Sequence, residues 1–123
     1  AASIAQGKAE FLELGNLDIE RDWGYAPDYV RGMWMMLQQE QAADYILATG
    51  KTFKLSDFLK LSFEHFGLDH EIYVQINPKF VRPNEPTKLC GDSSKAQNIL
   101  GWEPSVPFAK IVRIMCEAAE KNI

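Results

Sequence analysis

An α/β fold of alternating helices and short strands is predicted for this 123-residue chain from three observations. Apolar residues recur at one-face helical spacing in three segments, short strand-like apolar runs lie between them, and no repeat, low-complexity tract or linker divides the chain. Residues 1–123 are therefore read as a single compact unit with one core.

Taken in order, Ala1–Ala5 read as the tail of an amphipathic helix, with further sequence expected upstream. Phe11-Leu12-Glu13-Leu14 is strand-like and stops at the turn pair Gly15-Asn16, after which a loop is expected to about Gly24. Pro27 suits a first helical turn, because its missing N–H is one the helix leaves unpaired there. Tyr29, Val30, Met33, Trp34 and Leu37 then form the helix's inward stripe, and Asp28 reads only as a favourable charge at its start. Tyr45-Ile46-Leu47-Ala48, ahead of Thr49-Gly50, is a continuous apolar run of the kind that parallel sheets bury on both faces.

Leu55, Phe58, Leu59, Ser62, Phe63 and Phe66 share the next helical stripe, closed by Gly67 and its apolar follower Leu68. Ile72, Val74 and Ile76 alternate with Tyr73 and Gln75, predicting a half-exposed strand that ends at Asn77-Pro78. Pro83 and Pro86 keep the loop 79–91 extended. Asp92 or Ser93 can cap a short helix to Leu100, with Gly101 as its C-terminal cap and Trp102 beyond. Phe108, Ile111, Val112, Met115 and Ala119 mark the terminal helix.

Composition narrows the function classes. A formal net charge of −4 supplies no general basic face for nucleic acid, so any anion recognition must be local. No apolar run reaches the length of a membrane span. Cys90 and Cys116 read as buried reduced thiols, which with the lack of a leader-like start predicts a cytoplasmic protein. Neither these cysteines nor His65 and His70 show the close pair spacings of a metal site. No nucleophile elbow and no phosphate-cradling glycine loop is present.

Two arginines carry the local anion chemistry. Arg21 lies in the turn between a strand and a helix, and Arg82 lies in the proline-bracketed loop with Glu85 three residues on. A guanidinium presents a rigid fork of donors matched to phosphate oxygens, and an acceptor-only carboxylate suits ribose hydroxyls. The competing reading makes them surface ion pairs, Arg21 with Asp18, Glu20 or Asp22, and Arg82 with Glu85; spacing alone favours it. Trp23, Trp102 and Met33-Trp34-Met35-Met36 read as packing residues.

The run Leu14-Gly15-Asn16-Leu17-Asp18, leading to Arg21-Asp22-Trp23-Gly24-Tyr25-Ala26 and Asp28-Tyr29-Val30, resembles the GDP-mannose 4,6-dehydratase family. Phe80-Val81-Arg82-Pro83-Asn84-Glu85-Pro86, Gly91-Asp92-Ser93-Ser94-Lys95-Ala96 and Leu100-Gly101-Trp102-Glu103-Pro104 follow that family in order. The last two stretches are shared widely among nucleotide-sugar epimerases and dehydratases, whereas the first is more specific.

The resemblance implies the C-terminal substrate-binding part of an extended short-chain dehydrogenase, without the nucleotide-binding half of the Rossmann fold. It implies GDP-mannose as substrate and NADP as cofactor, held mainly by a missing N-terminal Rossmann domain whose sheet residues 24–50 would complete. Arg21 and Arg82 would hold the diphosphate, Glu85 the ribose, and Leu14, Gly15 and Asn16 would border the guanine. Homo-oligomerisation of the full-length protein is implied as well. The family's catalytic groups lie outside the matched third, so no residue here receives a catalytic role and the chain alone is expected to be inactive. A non-catalytic nucleotide-sugar-binding or subunit-interaction module, or a fragment of a related dehydratase or epimerase, remains as an alternative.

Overall fold

The structure is a computed structural model and describes residues 1–122. Its helices are α1 (Ala2–Ala5), α2 (Ala26–Leu37), α3 (Leu55–His65), α4 (His70–Tyr73), α5 (Ser94–Leu100) and α6 (Phe108–Asn122). Its strands are β1 (Leu12–Leu14), β2 (Glu20–Arg21), β3 (Phe53–Lys54), β4 (Val74–Ile76) and β5 (Lys88–Leu89). β1 pairs in parallel with β4, Leu12 opposite Val74 and Leu14 opposite Ile76. β2 is the middle of a second sheet, antiparallel to β3 and parallel to β5.

Helix ends follow the local chemistry of the sequence. The Asp57 carboxylate accepts from the Lys54 amide at the start of α3, satisfying a donor that the helix leaves open. Gly101 closes α5 at φ +65°, a left-handed conformation that a residue with a Cβ adopts at a cost. The turn brings the Trp102 amide back to the Ala96 carbonyl and drives the indole inward, where it is fully buried.

Among the described residues, many of the buried side chains gather in two clusters. One gathers Ala96, Leu100 and Trp102 between α5 and α2, with Tyr29, Met35, Met36, Tyr45 and Leu47 packed around them. The other joins α3 to α6 through Phe108, Val112 and Cys116, with Phe108 stacked on Phe53 at 4.1 Å between ring centroids and on Trp23 at 5.5 Å. Trp23 follows Arg21 by two residues, so the aromatic stack anchors the segment that carries the arginine.

Several expectations are corrected. Helix α2 turns a different face inward: of the expected stripe only Tyr29 packs against the core, joined there by Asp28, Gly32, Met35 and Met36, while Val30, Met33, Trp34 and Leu37 are exposed. The helix is apolar on two sides, and Gly32, where a Cβ would press on Leu47 and the Trp102 indole, decides which side comes close. Residues 45–48 form no strand: Gly91 packs against Ala48, but the segment pairs in a ladder with none of the strands, and Ile46 is exposed. The stretch 72–76 is a strand only from Val74, because the Asp69 carboxylate caps the Glu71 amide and starts α4. Cys90 is exposed and only Cys116 is buried, because β5 and the residues after it run along the surface, where Leu89 is exposed as well.

Asp28 is the clearest departure from its sequence reading. It is buried, its carboxylate accepts from the Ser105 amide at 2.8 Å and hydroxyl at 2.7 Å, and its carbonyl accepts from the Trp102 indole at 2.7 Å. Burial alone would raise its pKa, but the bonds from Ser105 and the Val106 amide, with Arg31 nearby, together hold it below the ordinary carboxylate value. A depressed folded-state pKa contributes stability above the unfolded value of about 3.8, lost as pH falls through the folded value. Urea denaturation between pH 5 and pH 2 is expected to show that decline, with a shallower slope in Asp28→Asn.

Candidate functional site

Parallel pairing of β1 with β4 brings two strand ends to one place. Past β1 the chain enters Gly15-Asn16, and past β4 it enters Asn77 and a 3₁₀ turn, Pro78–Phe80, while the Asn77 amide donates to the Leu14 carbonyl at 2.7 Å. A Cβ on Gly15 would collide with the Phe80 carbonyl, so glycine permits this backbone approach. The side-chain oxygens of Asn16 and Asn77 each accept from the amide two residues on, fixing both turns.

Between these turns and the 81–87 loop lies an open cavity of about 420 Å³. Leu14, Gly15, Asn16, Arg82 and Glu85 line it together with Phe80. Of the six residues singled out from sequence, only Arg21 is absent from this wall. It stands behind Glu85, its Nη2 donating to Glu85 Oε1 at 2.8 Å. Its Nη1 donates to the carbonyls of Glu20 at 2.8 Å and Pro86 at 3.0 Å, which ties strand β2 to the loop that carries Arg82.

The surface-pair reading fails at the carboxylates it named, because each is engaged elsewhere. Asp18 pairs with Lys54 at 3.0 Å. Glu20 accepts from the Thr52 hydroxyl at 2.7 Å and faces Lys88 at 3.3 Å, contacts that hold its pKa below the usual value. Glu85, in turn, is bound to Arg21 and not to Arg82. Arg82 makes no hydrogen bond or ion pair among the described residues, so its donors stay unspent at the cavity rim.

Asp22 is the residue that sequence reasoning undervalued. Its carboxylate accepts from the amides of Thr49 at 2.9 Å, Gly50 at 2.9 Å and Gly91 at 3.3 Å, and from the Thr49 hydroxyl at 2.5 Å. It thus pins two separate segments, 49–50 and Gly91, beside Arg21, where a second, more open cavity of about 490 Å³ is lined by Arg21, Asp22, Tyr29, Ala48, Cys90 and others. No local pattern announces such a hub, since its partners lie 27 to 69 positions away.

Comparison with known proteins gives this geometry a family context. The family description for GDP-mannose 4,6 dehydratase matches residues 1–115. This chain belongs to that family. GDP-mannose 4,6 dehydratase 2 of Arabidopsis thaliana is 48% identical over 114 residues, covering 93% of this chain and 31% of that protein. The GDP-mannose 4,6-dehydratase of Sinorhizobium fredii is 44% identical and covers 100% of this chain and 39% of its own length. The chain therefore spans about a quarter to two fifths of the length of the dehydratases it matches.

Solved structures show the same fold. RMD from Pseudomonas aeruginosa, determined with NADPH, aligns at a TM-score of 0.87 with 21% identity, over 99% of this chain and 40% of that one. An epimerase-like protein from Burkholderia cenocepacia aligns at 0.84 with 26% identity, over 98% and 39%. The α/β architecture is thus that of the C-terminal part of extended short-chain epimerases and dehydratases.

Proposed function

We propose that this chain is the GDP-sugar-binding portion of a GDP-mannose 4,6-dehydratase, a lyase that converts GDP-mannose to GDP-4-keto-6-deoxymannose. The observation that carries the reading is the cavity that gathers Arg82, Glu85, Leu14, Gly15 and Asn16, with Arg21 bonded to its Glu85. Arg82 and Arg21 serve the diphosphate, Glu85 the ribose diol, and Leu14, Gly15 and Asn16 the guanine edge.

Residues 24–50 are read as completing a Rossmann sheet supplied by the other part of the enzyme. Two observations support this: 45–48 is apolar and belongs to no strand ladder, and Val30, Met33, Trp34 and Leu37 are exposed on one side of α2. NADP fits that other part and not this one, because the 123 residues hold no glycine-rich phosphate loop. Hydride transfer and its return are accordingly not assigned to any residue here, and the chain alone is expected to show no turnover. A cytoplasmic homo-oligomer is the assembly this reading implies.

Titrating the isotopically labelled chain with GDP-mannose is expected to shift amide signals of residues 14–16 and 82–87, with weak affinity because few contacts offset the entropy of association. UDP-glucose should bind at least about fivefold less well if the guanine edge is read here. Equal binding of the two would replace GDP-mannose by another nucleotide-sugar, and shifts confined to other segments would remove the site.

A further inference from the structure

The guanidinium of Arg21 divides its donors between two tasks. Nη1 is committed to the carbonyls of Glu20 and Pro86, whereas Nη2 meets the Glu85 carboxylate. Both side chains of that ion pair are about one-fifth exposed; Glu85 lines the cavity and Arg21 stands directly behind it, so Nη2 comes within reach of a ligand once Glu85 turns away. A carboxylate oxygen and a phosphate oxygen ask for the same N–H donor at nearly the same distance. Arg82, by contrast, already faces the cavity with no internal partner.

We propose that Glu85 is an internal stand-in for phosphate at Arg21, exchanged for the ligand's diphosphate on binding. The inference rests on the GDP-sugar reading of the cavity. Phosphate meets Arg82 first; the second contact requires Nη2 of Arg21 to leave Glu85. The carboxylate so released is then available to the vicinal diol of the ribose. Nη1 keeps the arginine in place throughout, so the exchange needs a side-chain rotation of Glu85 and no movement of β2. Occupation of the phosphate position and of the ribose position are thereby coupled, because one displaced group serves the other.

Inorganic pyrophosphate and guanosine, titrated separately and together into the 123-residue chain at fixed ionic strength, test this. Pyrophosphate should bind about fivefold more tightly to Glu85→Gln, which leaves a neutral and weaker competitor on Arg21. Glu10→Gln removes one charge from an exposed position outside the cavity lining and should change pyrophosphate affinity less than about twofold. Saturating pyrophosphate should tighten guanosine binding about threefold in the unsubstituted chain and not in Glu85→Gln. An equal gain in the Glu10 and Glu85 variants, or pyrophosphate and guanosine binding independently, would overturn the exchange while leaving the site intact. Pyrophosphate binding that is indifferent to Arg82→Ala would instead overturn the site reading and the exchange with it.

Discussion

Trp102→Ala is expected to destabilise the chain by about 3–5 kcal/mol, the usual cost of emptying a fully buried aromatic site. The indole is 0% exposed, sits between α5 and α2 beside Gly32, and donates to the Asp28 carbonyl at 2.7 Å. Its removal opens a void that a helix held at close range by a glycine is poorly placed to fill, and it leaves a carbonyl of α2's first turn without its buried donor. Against the roughly 5–15 kcal/mol that separates folded from unfolded domains, that loss leaves little margin. Trp102→Phe keeps most of the packing and should cost about 1–2 kcal/mol, chiefly the hydrogen bond. Urea denaturation measures both; a cost below about 1 kcal/mol for the alanine variant would contradict the burial described.

The same corner of the molecule shows how far the sequence could be read. Gly101 with Trp102, and Gly67 with Leu68, announce helix ends because a glycine and its apolar follower are a local signal, and both glycines adopt positive φ. The inward face of α2 was not legible in the same way. Its apolar residues occupy two sides, so periodicity names a helix without choosing a face, and the choice rests on the close approach at Gly32. Asp28 reads locally as a charge at a helix start; only the fold reveals Ser105, 77 positions away, as its partner. Two-residue strands such as β2 and β5 exist through their pairing alone, which is why 15–24 and 79–91 read as loops.

Within the candidate site, Leu14, Gly15, Asn16, Arg82 and Glu85 were singled out from the order of motifs, and the parallel pairings of β1 with β4 and β2 with β5 bring them to one cavity. Residue spacing gave no warning that Glu85 would pair with Arg21 in place of Arg82. Competition decides that outcome. Asp18, Glu20 and Asp22 are drawn to Lys54, to Lys88 with Thr52, and to three backbone amides, leaving Glu85 as the carboxylate that meets Arg21.

Arg21→Ala and Arg82→Ala should therefore differ in kind. Both are expected to weaken GDP-mannose binding by about tenfold or more, the loss of one charge-assisted phosphate contact. Arg21→Ala should in addition cost about 2–3 kcal/mol of stability, because it strips the donors from the Glu20 and Pro86 carbonyls and leaves the part-buried Glu85 without its cation. Arg82 has no internal partner among the described residues, so its truncation should leave stability within about 0.5 kcal/mol. Arg21→Lys should recover little of either effect, since one ammonium on a flexible stem cannot hold two carbonyls and an anion in a fixed fork. Parallel urea denaturation and ligand titration of the three variants separate the roles. Equal destabilisation by both alanine substitutions would show that Arg82 is held by the fold, and unchanged binding in Arg82→Ala would take the phosphate away from this cavity.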